Sequence, residues 1–119
     1  MRPQPDPVVH IELRTNDVER ARIFLGRLFG WNSERIRVGG RQYLALDVGD
    51  RVEGGIAARD GDPPAWLPYV EVADVDEAAE RARALGASVV LPPTEGPAGW
   101  HAILGMPAGG EVGLWQPKR

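Results

Sequence analysis

The feature that most constrains this chain is that it repeats itself. Displaced by 57 positions, Leu13 falls on Val70, Asp17 on Asp74, Val18 on Val75, Ala21 on Ala78 and Leu28 on Leu85. The order of elements repeats as well. Val8-Val9-His10-Ile11-Glu12-Leu13 alternates between two faces and is rich in β-branched residues, so it reads as a strand. Asn16-Asp17 then caps a helix to Phe29, in which Val18, Ala21, Leu25 and Leu28 recur at helical spacing with Phe24 beside them, and Gly30 stops it. Three strands follow, Glu34 to Val38, Tyr43 to Asp47 and Val52 to Arg59, separated by glycine turns.

Asp60-Gly61-Asp62-Pro63-Pro64 is turn chemistry near mid-chain, and the pattern restarts after it. Trp66 to Val72 reads as a strand. Asp74 caps a helix whose Val75, Ala78, Ala79, Ala82 and Leu85 line one face, and Gly86 ends it. Glu77 completes a capping box. Ser88 to Leu91, Trp100 to Leu104 and Glu111 to Gln116 are the last strands, with Pro92-Pro93 and Gly105 to Gly110 as breaks. The expectation is an α+β protein of two β-α-β-β-β modules, residues 8–59 and 66–116 with a linker at 60–65. Their sheets would form a curved surface around a cleft.

Composition narrows the chemistry. With 119 residues, 43% apolar and 26% charged, the chain fits one globular domain. Fourteen basic and seventeen acidic residues give a net charge of -3 without a basic run, which disfavours nucleic acid as a partner. There is no cysteine, so disulfides, thiolate nucleophiles and sulfur-ligated zinc are excluded. No apolar run approaches a membrane span, and Met1 to Pro7 lacks the pattern of a signal peptide, so a cytoplasmic protein with no membrane partner is expected.

Alternation assigns the candidate site. If Ile11 and Leu13 cover the helix, then His10, Glu12 and Arg14 face away from it; likewise Val70 and Val72 leave Tyr69 and Glu71 on the opposite face. Trp115 shares a strand face with Glu111 and Gly113, and Trp31, Trp66 and Trp100 supply further aromatic surface. His10, Glu12, Tyr69, Glu71 and Trp115 are therefore the expected ligand contacts. Glu12 has Arg14 at hand as an ordinary ion-pair partner, and His101 reads as a surface or loop-edge histidine. Aromatic walls with a few carboxylates suit a flat neutral or cationic organic ligand.

These residues also carry a resemblance. Val9-His10-Ile11-Glu12-Leu13 with Asn16-Asp17-Val18, Phe24 to Trp31, Tyr69 to Val72 with Asp74-Val75-Asp76, Ala84 to Ala87, Met106 to Gly109 and Val112 to Trp115 are together similar to the vicinal oxygen chelate superfamily of glyoxalases, bleomycin-resistance proteins and extradiol dioxygenases. Gly113-Leu114-Trp115-Gln116 is closest to its glyoxalase-like members. Leu25 stands where the family often has tyrosine, and Met106 where it has an acidic residue.

The resemblance implies a divalent metal on four strands, at positions that fall on His10, near Gly55, on Leu67 and on Gly113. Only His10 has a donor, so no metal and no other cofactor is expected; any metal would have to use His10 with Glu12 or Glu71. Gly54-Gly55 and Gly113 are expected to leave room for a ligand. The resemblance also implies a homodimer. Metal-independent binding of a small organic molecule is the first functional expectation. A metal-dependent lyase, isomerase or dioxygenase is the alternative, and a non-catalytic accessory or regulatory subunit the third.

Overall fold

The computed structural model describes residues 5–38 and 41–119. They form two compact units, residues 9–67 and residues 68–119 with residues 5–8. Each has the β-α-β-β-β order expected from the repeat. The Gly39-Gly40 turn lies outside the described residues.

In the first module, β1 (Val8–Thr15) leads through Asn16 and Asp17 into α1 (Val18–Phe29), followed by β2 (Ser33–Val38), β3 (Arg41–Leu46) and β4 (Glu53–Ala58). The strand order is β2-β3-β4-β1, with β1 parallel to β4 and the remaining pairs antiparallel. Asp17 caps α1 by accepting a hydrogen bond from the Arg20 N–H at 3.1 Å, as its short acidic side chain predicts. Gly30 closes the helix in the left-handed region at φ 72°, a conformation that costs a residue without a Cβ nothing. Register places Leu13 beside Ile56 and Ile56 beside Leu44, so one sheet face gathers a core of Leu25, Leu44, Leu46 and Ile56 under the helix.

The second module repeats this plan. β5 (Ala65–Glu71) precedes α2 (Val75–Ala84), and β6 (Ser88–Glu95), β7 (Gly99–Gly105) and β8 (Glu111–Pro117) follow. Their order is β5-β8-β7-β6, with β5 parallel to β8. Val75, Ala79, Ala102, Leu104 and Leu114 form its core, with Val72 and Trp100 packed against it. The start of α2 is held twice: Asp74 accepts from the Glu77 N–H at 3.1 Å, and the Gln116 side-chain oxygen accepts from the Val75 N–H at 2.8 Å. Two backbone donors that a helix start leaves without intrahelical partners are thus satisfied.

Two expectations need correcting. Leu28 and Leu85, which occupy equivalent places in the repeat, do not join the helix faces buried on the sheets; they are 59% and 72% exposed. Each sits at its helix's carboxyl-terminal end, beyond the residues that the two cores gather, Val18, Ala21 and Leu25 or Val75, Ala78, Ala79 and Ala82. Pro92-Pro93 does not end β6 at Leu91. The strand continues to Glu95, with register shifts on either side of Leu91, because it pairs with β7 alone and its outer edge requires no N–H from proline. No helix among the described residues is long and apolar enough to cross a membrane.

Exposure separates the two kinds of leucine in stability terms. Leu25→Ala is expected to cost about 2–5 kcal/mol and Leu28→Ser under about 0.5 kcal/mol. Gln116→Ala, which strips one cap from α2, is expected to cost about 1 kcal/mol. Urea denaturation of the three variants checks the ranking.

Candidate functional site

The face of the first module opposite α1 carries the most developed site. Alternation along β3 buries Leu44 and Leu46 and so turns Tyr43 and Ala45 to the other side, where β1 presents His10. The Tyr43 hydroxyl reaches His10 Nε2 at 2.8 Å, and the two rings lie nearly parallel with centroids 6.3 Å apart. Around the pair opens a pocket of about 630 Å³. Its apolar lining includes Ile36, Leu46, Val48 and Val52; Asn32 and Ser33 add neutral polar groups, and Glu34, Asp47 and Glu53 add carboxylates. Among the described residues no lysine or arginine lines it.

Tyr43 owes its position to a glycine. A methyl group at Gly55 would overlap the Tyr43 hydroxyl, so the ring reaches His10 only because β4 has no side chain there. The second module shows the same exchange: a methyl group at Gly113 would overlap the ring of Tyr69, its register partner on β5. Gly55 and Gly113 therefore do not leave open volume, as the sequence suggested. Their space is taken by two tyrosines from neighbouring strands.

The same geometry tests the metal that the family resemblance implies. Of the four positions, His10 offers an imidazole already engaged by Tyr43, Gly55 and Gly113 are covered by aromatic rings, and Leu67 is a buried hydrocarbon. Among the described residues no three His, Asp or Glu side chains are grouped as a cation requires. The residues present do not fit such an ion.

Partial burial holds the His10 pKa below its ordinary 6.5, while the nearby Glu12 and Glu53 carboxylates pull more weakly in the opposite direction. The imidazole is accordingly neutral at neutral pH and exchanges a hydrogen bond with a hydroxyl instead of carrying charge. Glu12 does not line the pocket. Its carboxylate accepts from Arg14 Nε at 2.8 Å, the ion pair that the sequence offered as its ordinary role.

The other expected contacts lie in the second module. Tyr69 is buried against Gly113, and Glu71 and Trp115 are half-buried register partners on β5 and β8. Trp115 packs its ring edge over Gly99. His101 is half-buried in β7 and pairs in register with Trp115, so it belongs to a strand interior and not to a loop edge. Two of the other tryptophans serve packing: Trp31 joins the first core against the Phe29 ring, and Trp100 joins the second under Lys118. Sequence reading missed Tyr43. The alternation of Leu44 and Leu46 gave its direction, but its reach across to Gly55 and His10 depends on register.

Two four-stranded β-α-β-β-β modules, each with a helix on one face, define a fold class, and sequence comparison gives the family. The model of the Glyoxalase/Bleomycin resistance protein/Dioxygenase superfamily matches residues 8–104. The chain belongs to that superfamily. Proteins named "Putative glyoxylase CFP32" from Mycobacterium bovis and Mycobacterium tuberculosis are 33% identical to it over 117 residues, covering 92% of this chain and 45% of theirs. The chain thus spans about half the length of these curated relatives. Among solved structures, methylmalonyl-CoA epimerase from M. tuberculosis is 17% identical with a TM-score of 0.68, covering 94% of this chain and 88% of that one. Hypothetical protein BH1468 from Bacillus halodurans is 11% identical with a TM-score of 0.74, covering 98% and 97%. At these identities the likeness is one of fold.

The crowding at Gly55 is directly testable. Gly55→Ala is expected to cost about 1–3 kcal/mol by displacing Tyr43 from His10, and much less in a Tyr43→Ala background, as a double-mutant cycle would show. The lowered His10 pKa carries a sign as well. Below about pH 6.5 the unfolded chain takes up a proton at this histidine before the folded one does, so its contribution to stability, full above that pH, is lost as pH falls further. His10→Gln should flatten that part of the stability profile, and NMR titration of the imidazole should give a pKa below 6.5.

Proposed function

We propose that this protein binds a small neutral or cationic organic molecule, without a metal ion, in the pocket of its first module. The observation that carries this reading is the His10–Tyr43 hydrogen bond built over Gly55, which puts a polar, uncharged anchor in a cavity of about 630 Å³ where the family would place metal donors. An apolar lining with few convergent polar groups suits an organic ligand. The carboxylates Glu34, Asp47 and Glu53, with no lysine or arginine beside them among the described lining residues, raise the cost of bringing in an anion.

Tyr43 and His10 would orient the ligand by hydrogen bonds, and Glu34, Asp47 and Glu53 at the exposed rim would favour a positive group. Glu12 is proposed to act through Arg14, holding the charge balance of the β1 face. Tyr69, Glu71 and Trp115 are proposed as a ligand-contacting face of the second module, with Trp115 as its aromatic surface. For assembly we propose a homodimer using the edge of β2, since Pro92 and Pro93 blunt the edge of β6.

The test combines elemental analysis with a tryptophan-fluorescence screen of planar amines and neutral aromatic metabolites. The expected results are no stoichiometric metal, and hits whose affinity falls about tenfold in Tyr43→Phe and further in His10→Ala. About one Fe, Mn, Ni or Zn per chain that disappears in His10→Ala would overturn the metal-free reading. Hits that bind Tyr43→Phe and His10→Ala unchanged would remove the pocket assignment. Sedimentation at micromolar concentration showing only the 13.0 kDa species would remove the dimer.

A further inference from the structure

The outer face of α1 is built unlike a solvent face. Ile23, Phe24 and Leu28 are 45%, 61% and 59% exposed, three large apolar side chains within two turns of one helix. Single exposed leucines are common on soluble proteins, but apolar groups gathered on one helix face mark a contact surface. Arg20, Ile23, Phe24, Arg27 and Leu28 border a shallow, open depression of about 470 Å³, and Phe24 borders a second one with Trp66.

Charge tells what would fill it. The arginine on the flank of the helix is neutralised within the fold, since Arg22 binds Glu19 at 2.8 Å, and Glu19 also holds Arg35 of β2 at 2.7 Å. Arg20 and Arg27, which border the apolar side chains, have no ion-pair partner among the described residues. Asp17, the acidic residue that lines the second depression, is engaged as the helix cap. The two arginines are seven residues apart, about 10.5 Å along the helix axis.

We propose that this face docks an amphipathic helix of another protein that carries acidic residues two turns apart on either side of an apolar stripe. Such a helix lays its apolar side chains over Ile23, Phe24 and Leu28 while its carboxylates meet Arg20 and Arg27. A second copy of this chain fits less well. A two-fold contact through α1 sets Arg20 and Arg27 against their own counterparts, with Asp17 and Glu19 already committed. The inference is independent of the pocket in the same module, which lies on the opposite sheet face.

The experiment uses the full chain and a fluorescently labelled synthetic helix of about four turns, with leucines on one stripe and glutamates at positions i and i+7. Its partner control has lysine in place of each glutamate. Fluorescence anisotropy should show the glutamate helix binding with a Kd below about 100 μM, at least tenfold more tightly than the lysine helix. Phe24→Asp should abolish binding, and Arg20→Glu with Arg27→Glu should reverse the preference towards the lysine helix. Both variants alter exposed residues and should keep the wild-type circular dichroism spectrum. Equal binding of both helices, binding of neither below about 1 mM, or binding that persists in Phe24→Asp would overturn the proposal. So would a two-chain species that Phe24→Asp dissolves, or an affinity for phosphatidylserine vesicles that exceeds the affinity for the glutamate helix.

Discussion

Each module has a single helix, and that helix can cover only one face of its four strands. Everything else in the design follows from this allocation. Because strand side chains alternate, committing Leu13, Ile56, Leu44 and Leu46 to α1 commits His10, Gly55 and Tyr43 to the other side together, with no further instruction needed. The chemistry of the site is the complement of the core. A register slip of one residue would exchange the two sets, which is why an apolar core on one face also secures the polar pair on the other.

The exchange of tyrosine for a side chain at glycine gives the site its character. In both modules a glycine on one strand is filled by a tyrosine reaching from another, Tyr43 over Gly55 and Tyr69 over Gly113. In the first module the hydroxyl of the intruding ring bonds the one remaining imidazole, at 2.8 Å. Adding a donor at Gly55 would therefore not rebuild a metal centre, because the new side chain and Tyr43 compete for one volume. A fold shared with metal-using proteins carries here a neutral hydrogen-bonding pair, and the family name alone does not transmit a reaction.

What was legible in the sequence was the repeat, and with it the order of all ten elements. Both helix starts could be read because an aspartate cap is a local device, as Asp17 and Asp74 show. The face of each strand was legible for the same reason: alternation is local. Leu28 and Leu85 were not, since helical spacing identifies an apolar stripe without saying how much of its length the sheet covers. The passage of β6 through Pro92-Pro93 depends on its pairing with one neighbour only, a property of topology. Tyr43 escaped notice because its importance lies in the distance it spans between strands, which register alone decides.

The hydrogen bond from the Val75 N–H to Gln116 joins residues 41 apart in sequence, the first turn of α2 and the last strand of its module. Helix formation is limited by its first turn, so a donor satisfied there matters more than one satisfied in the middle. During synthesis α2 emerges long before Gln116 does. Its amino-terminal cap remains half made until β8 has been translated and has docked beside β5 and β7. Among the described residues no bond of that kind reaches the first turn of α1, which Asp17 caps from the adjoining residue. The two halves of a repeated fold therefore differ in when their helix starts are complete: the cap of α1 is made by a residue already translated, and that of α2 waits for the last strand of its module.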